Sequence, residues 1–462
     1  MAQDGRTCAF IIVVASALAL AIQLPSYLQH DVASLTWTAD QVMRGAVFGR
    51  DVYDINPPLN FLIYVPAALL GRAIGFDLAI KLWTVFIFAV SAATMWQTAE
   101  RSVRLPVVAV LGLFFALAFP REFGQREQIA LLLCAPYVAG NTPRRGLAIL
   151  SGVMAGIGFA LKPYFLIPLL LVFLTRRRIR TEEWSIAATG ACYALCLIVF
   201  FQPYFLEYIP KVTDTYWIYK NKSAAVILMS AAIVPLSLAV LPWISAPQRG
   251  VAGFAMASTG FLIAVLLHRK GFNYHYIPSF GFLALYLAAL LENERRMARV
   301  AAALFLAIMV VRLSLFAAPW VLDVEGRRKV IPALVAEIDR VKSFSVLSNY
   351  NYPAFPTAIY TKTPFVGMSP TNNFISVVAN VETGKLQADA GNSAALSLEQ
   401  ALREIGHAPE LVIVNPNWMF FGGLDTPFDG LAWFRRDPRF EDLWKHYELA
   451  GKIGIFELYR RR

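Results

Sequence analysis

The feature that most constrains this chain is a succession of apolar runs, many close to the ~20 residues a helix needs to cross a bilayer. They fall at 8–24, 78–98, 106–118, 129–140, 146–161, 164–175, 184–201, 224–243, 251–267, 277–291 and 300–317. A further run, 59–74, is short and interrupted by Pro66 and Arg72. Of the 462 residues, 57% are hydrophobic and only 16% charged, where a soluble domain carries roughly a quarter charged. The expected class is therefore a polytopic α-helical membrane protein. The net charge of +11 does not point to nucleic acid. The basic residues sit in short clusters between apolar runs, such as Arg144-Arg145, Arg176-Arg177-Arg178 with Arg180, and Arg295-Arg296 with Arg299. That is the pattern of positive-inside loops. Cys8, Cys134, Cys192 and Cys196 all lie in or beside apolar runs, which supports neither a disulfide framework nor a zinc finger. The first run has a weakly basic flank, Arg6 offset by Asp4, and no small-x-small motif after it. It reads as a retained helix rather than a cleaved signal peptide.

The run at 59–74 decides the topology. If it spans, the arginine clusters scatter over both sides. If it lies along the surface, Arg101 and Arg104, Arg144 and Arg145, Arg176–Arg180, Arg249 and Arg295–Arg299 all fall on the side of the N-terminus. The positive-inside rule favours the second arrangement. It gives about eleven spans, with the N-terminus cytoplasmic, the C-terminus outside, and a first outer loop at 25–77 that carries juxtamembrane helices. The transmembrane domain then covers 1–319. Residues 320–462 have soluble charge density and read as a small extracytoplasmic α/β domain. Strands are expected at 343–348, 364–368 and 411–414, with a terminal pair at 447–449 and 450–459. A helix is expected at 398–405, with Ser397 as its N-cap and Gln400 completing a capping box.

With that orientation, four outer segments hold the polar residues that need an explanation. The first carries His30-Asp31, then Asp51, Asp54 and Asn56-Pro57-Pro58. An acid at a membrane exit is costly to bury unless it is paired or works, about 3 kcal/mol at bilayer centre and less near the interface. Its plain reading is an exposed loop carboxylate. The second is Arg121-Glu122-Phe-Gly-Gln-Arg126-Glu127-Gln128, either two local ion pairs or a carboxylate kept ionised beside cations free for a phosphate. The third is Lys162, placed between two apolar runs, where a lysine also snorkels to the interface. The fourth is His268-Arg269-Lys270-Gly-Phe-Asn-Tyr274-His275-Tyr276. An interfacial aromatic belt accounts for its tyrosines but less readily for His275. Together, carboxylates in one loop and cations in three others suit an anionic head group with proton removal beside it. His30, Asp31 and Glu127 would suffice for one divalent ion, which the sequence does not demand. The phosphate-cradling loop Gly-x4-Gly-Lys-Ser/Thr is absent, which argues against an ATP-driven pump.

These pieces resemble the GT-C glycosyltransferases, in particular the bacterial group of protein O-mannosyltransferases and aminoarabinose transferases. The resemblance rests on Asp31, Asn56-Pro57-Pro58-Leu59, 121–128, Gly158-Phe159-Ala160-Leu161-Lys162-Pro163 and 270–278, and spans about residues 8–317. It implies a polyprenyl-phosphate sugar donor, inversion, and an active site at the outer face of the bacterial inner membrane. It implies Asp31 as catalytic base and Lys162 as a donor-phosphate contact. Arg126, Arg269, Lys270 and His275 are further donor contacts, and His30, Asp54, Asn56, Arg121, Glu122 and Tyr274 are supporting polar groups. Glu127 stands where the family has Asp, and Asn56 where it has His. The acceptor is an envelope glycan, a lipid or a protein. The alternative is a transporter or flippase of a lipid-linked or anionic substrate, which would place charges along a mid-membrane path and show repeats.

Overall fold

The computed structural model describes residues 2–140, 144–176, 178–216, 223–246, 251–323, 326–369, 371–372, 374–387, 389–416 and 428–462. Arg177 and Arg249, two of the cytoplasmic arginines expected above, lie outside the described residues. The chain forms two compact units. One comprises Met1–Ser26, Leu78–Val199 and Lys222–Val324; the other comprises Tyr27–Asp77, Phe200–Asn221 and Glu325–Arg462. The second unit therefore takes in the expected first outer loop, together with the short apolar run Leu59–Ile74 and a segment following residue 199.

The first unit is helical, and every run expected to span is helix. Among the described residues, five helices are long and apolar enough to cross a membrane: Asp4–Gln23, Phe76–Thr98, Thr181–Phe200, Val251–His268 and Arg296–Val321. A sixth span is made if Ala224–Ser230 and Ile233–Ile244, bent by 65°, count as one. Shorter helices such as Arg104–Leu117 and Arg126–Ala139 have 14 residues each. At 1.5 Å per residue these reach about 21 Å, short of a ~30 Å hydrocarbon core. At the break in the bent pair, Arg312 Nη2 donates to the Ser230 carbonyl at 3.3 Å. A broken helix leaves such carbonyls without partners in an apolar surrounding, and the arginine supplies one.

Small residues let these helices approach closely. A Cβ at Gly152 would sit 2.5 Å from the Glu182 carbonyl oxygen, and one at Gly156 would sit 2.7 Å from Thr189 Cβ. The two glycines, one helical turn apart, form the seam between Arg145–Ala160 and Thr181–Phe200. The polar contacts sort to opposite helix ends. Asp4 meets Arg104 at 3.5 Å at the start of the first helix, whereas Gln23 donates to the Pro120 carbonyl at 2.9 Å at its end. Arg176 donates to the Gly140 carbonyl at 3.1 Å, and Asn293 bonds the Ala246 backbone at 3.1 and 3.0 Å.

The second unit contains a four-stranded sheet of order β1-β2-β4-β3, with β1 Phe344–Leu347, β2 Leu411–Val414, β3 Tyr447–Ile453 and β4 Phe456–Arg461. β1 and β2 are parallel, with Phe344 opposite Leu411; β4 runs antiparallel to both β2 and β3. Val412, Val414 and Leu347 pack with Ala401, Ile405, Phe440 and Trp444 as its core. The expected strand at 364–368 is only a single bridge from Phe365 to Phe344. The helix expected at 398–405 runs Gly391–Gly406, so Ser397 is no cap. Its buried hydroxyl donates to Asn372 Oδ1 at 2.6 Å instead. Rings tie the loop to the sheet: Trp37 lies 5.5 Å from both Phe355 and Phe365.

Candidate active site

Two clusters of polar side chains stand out, one in each unit. In the first unit, the turn at Pro120–Glu122 and the positive-φ Gly124 (φ +78°) bring the chain into Arg126–Ala139, with Gln125 as N-cap. Gln128 Oε1 accepts from the Gly124 amide at 2.8 Å and holds this turn. Glu127 follows in the first helical turn, 1% exposed, with Arg126 at 4%. Lys162 lies in extended backbone two residues beyond Arg145–Ala160, before the turn Pro163–Phe165, and is also buried. Its ammonium pairs with Glu127 Oε1. The local pairing of Arg126 with Glu127, one of the two readings of this segment, is replaced by a pairing over 35 residues. Arg121 reaches Glu122 at only 3.9 Å.

Aromatic faces complete the surroundings of Lys162, with Tyr164, Tyr274 and Phe165 at 5.6, 5.8 and 6.0 Å. Tyr274, expected as a supporting polar group, thus contributes to the cation's environment together with Tyr164. His275 Nε2 lies 4.0 Å from Glu127 Oε1, and its ring meets those of Tyr274 at 4.4 Å and His268 at 4.6 Å. Burial first, and then the Lys162 charge, hold the His275 imidazole well below its usual range. Among the described residues, Glu127 Oε2 and His275 Nδ1 are buried without a hydrogen-bond partner. Buried polar atoms of this kind call for a ligand or water. Arg269, at φ +56°, is exposed and Lys270 half-buried.

In the second unit, Asp31 is the second residue of His30–Met43, whose N-cap is Gln29. Gln29 Oε1 accepts from the Asp31 and Val32 amides at 2.6 and 3.1 Å. Asn351 Nδ2 donates to Asp31 Oδ1 at 2.7 Å, and the His30 ring lies 3.5 Å from the same oxygen. Tyr350 meets His30 with ring centroids 4.7 Å apart. The Asp31 side chain remains 17% exposed, so it is oriented yet reachable. Asp54 and Asn56 form a local turn: Asp54 Oδ1 accepts from the Asn56 amide at 2.7 Å and from its side chain at 2.5 Å. Sequence reasoning missed Gln29, Tyr350 and Asn351. The last two arrive from 320 residues away, and only the run Asn349-Tyr350-Asn351 at the end of a strand could have flagged them. It also missed Asp40, which is buried between Arg72 at 2.8 Å and Arg44 at 2.7 Å.

Among the described residues, no three His, Cys, Asp or Glu side chains converge as metal ligands would, and Asp31 and Glu127 belong to different units.

No protein-family model matches the chain, and no curated protein matches it. Among solved structures, ArnT from Cupriavidus metallidurans, bound to undecaprenyl phosphate, is similar with a TM-score of 0.58. The match covers 98% of this chain and 97% of that one at 10% sequence identity. The chain has the GT-C fold of ArnT. Arabinofuranosyltransferase AftD from Mycobacteria is matched at a TM-score of 0.44 and 14% identity over 98% of this chain and 41% of that one. The likeness to ArnT bears out the expected GT-C-like membrane fold with a small C-terminal sheet.

Proposed function

We propose that this chain is a membrane glycosyltransferase that moves a sugar, with inversion, from a polyprenyl-phosphate donor to a hydroxyl or amine of an envelope glycan, lipid or protein. The observation that carries the reading is the buried Lys162, paired with Glu127 and ringed by three aromatics, in a fold shared with a structure that holds undecaprenyl phosphate. A buried ion pair adds little net stability, so its retention fits a functional use. Lys162, with Arg126 in the adjoining helical turn and Arg269 and Lys270 in the neighbouring loop, would neutralise the donor phosphate.

Asp31 takes the role of base. As the acceptor oxygen or nitrogen attacks the anomeric carbon, its proton passes to Asp31. The bond from that carbon to the phosphate oxygen breaks on the opposite face. The electron pair leaves with polyprenyl phosphate, which needs no strong acid to depart. Asn351 fixes the carboxylate's direction. Placing this chemistry at the periplasmic face, with the N-terminus cytoplasmic and the sheet-bearing domain outside, follows from the arginine-bearing turns being cytoplasmic. The test is the product. Purified protein with a radiolabelled lipid-linked sugar and an envelope extract should release unlabelled polyprenyl phosphate as label enters the acceptor. Label that changes sides of a vesicle while still attached to its lipid would replace this reading with a flippase.

A further inference from the structure

The second unit holds a cavity of about 340 Å³ that the transfer chemistry does not use. Its floor is aromatic and apolar: Tyr53 and Tyr208, with ring centroids 5.0 Å apart, beside Met368 and Phe374. One wall is a single face of the helix Gly391–Gly406. Leu396, Glu399, Gln400 and Arg403 recur there at the spacing that puts side chains on one side of a helix. Gly49 forms part of the opposite wall. At φ +96°, a Cβ there would lie 2.7 Å from the Tyr204 amide nitrogen, so this wall has no room for a side chain.

The charges around the rim balance. Arg50, Lys211 and Arg403 face Asp51, Glu207 and Glu399. Arg50 is committed to Glu207, and Asp51 to the Val47 amide at 2.8 Å. Among the described residues, no ion pair or hydrogen bond engages the Lys211 ammonium or the Glu399 carboxylate. Arg403 makes one long bond, to the Arg50 carbonyl at 3.5 Å. In the wall, Gln400 is 3% exposed. Its amide donates to Glu404 at 2.9 Å, while its Oε1 has no partner among the described residues.

These features select among ligand classes. An anion would meet three carboxylates, and an apolar chain would strip water from the rim charges without replacing it. A polyhydroxylated ring both donates and accepts, so it can serve carboxylate, guanidinium and the Gln400 carbonyl at once, with its C–H face against the tyrosines. The volume lies at the small end of ligand sites, suited to one or two sugar rings. We propose that this cleft binds uncharged saccharide. Only the further identification of that saccharide as part of the acceptor rests on the transfer reading.

The test is binding without turnover. Full-length protein in nanodiscs is titrated with neutral tetrasaccharides of glucose, mannose and arabinose, and with tetragalacturonate, read by saturation-transfer NMR. At least one neutral tetrasaccharide should bind, the acidic one should not, and Tyr53→Ala, Arg403→Ala and Glu399→Gln should each weaken binding about tenfold or more, equivalent to about 1.4 kcal/mol. Tyr53→Phe, which keeps the ring, should retain it. No binding by any neutral probe, preference for the acidic one, or affinity unchanged by all three substitutions would overturn the proposal. Polyprenyl phosphate binding is measured on the same samples; its failure in the unaltered protein would sink the transfer reading and leave the cleft standing.

Discussion

Glu127 and Lys162 allow stability and function to be separated by a double-mutant cycle. Both side chains are at most 5% exposed. Removing one partner of a buried pair costs about 3–5 kcal/mol, because the remaining charge is left uncompensated. The structure makes the two halves unequal. In Glu127→Gln, the Lys162 ammonium keeps three aromatic faces at 5.6–6.0 Å, and such contacts return roughly 0.5–2 kcal/mol. In Lys162→Met, the Glu127 carboxylate keeps, among the described residues, only His275 at 4.0 Å, and its Oε2 has no hydrogen-bond partner there. Lys162→Met should therefore cost about 3–5 kcal/mol and Glu127→Gln about 2–3. The double variant removes both charges and should return to within about 1 kcal/mol of the parent. Unfolding equilibria in bicelles measure the four stabilities, and polyprenyl phosphate binding is measured alongside. The restored double variant should still bind that lipid more weakly than the parent, because one of the phosphate's cations is gone. The reasoning is refuted if the double variant is as unstable as the sum of the singles, or if it binds the lipid as the parent does.

Three further outcomes follow from the same structure. Burial raises the Glu404 carboxyl to about 7. A raised acid favours the fold fully below its unfolded value near 4.5 and loses that contribution as pH climbs through 7, so hydrogen exchange of the helix Gly391–Gly406 should quicken between pH 5 and 8, by on the order of 3 kcal/mol at most, and Glu404→Gln should flatten the profile. Gly152→Leu should destabilise the helical unit by about 1–3 kcal/mol or more, read as faster thermal inactivation, whereas Gly146→Ala, with nothing within 4 Å, should be silent. Asn351→Ala, which frees Asp31 Oδ1 from its 2.7 Å donor, should lower kcat about tenfold to a hundredfold with donor affinity unchanged; equal loss in both would give Asn351 a structural role.

The helices were legible because membrane apolarity is written in long runs, and Arg296–Val321 or Val251–His268 could hardly be anything else. β1 and β2 were legible for the same reason on a shorter scale; a terminal strand pair was too, but its break was expected after Leu449, whereas β3 runs on to Ile453 and β4 begins at Phe456. Segment 364–368 was overcalled, since an apolar pentapeptide alone cannot say that only Phe365 will find a partner. Ser397 was misplaced because the helix begins at Gly391 on a weakly signalled turn, Gly-Asn-Ser-Ala-Ala. Glu127, Lys162 and His275 stand out in the sequence because ionisable groups in or beside apolar runs are rare, and the structure brings those three together. Their pairing was not found: proximity in sequence suggested Arg126 for Glu127, whereas helix packing delivered Lys162. Asn351 and Tyr350 were invisible because a fold, not a motif, carries them to Asp31.

The most direct test of the central claim is single-turnover transfer from a radiolabelled polyprenyl-phosphate sugar by the parent protein and by Asp31→Asn. The account predicts that the variant binds donor with unchanged affinity while transfer falls about 10²–10⁴-fold, and that the parent's product has the inverted anomeric configuration. Full transfer by Asp31→Asn, or retention of configuration in the parent's product, would contradict it.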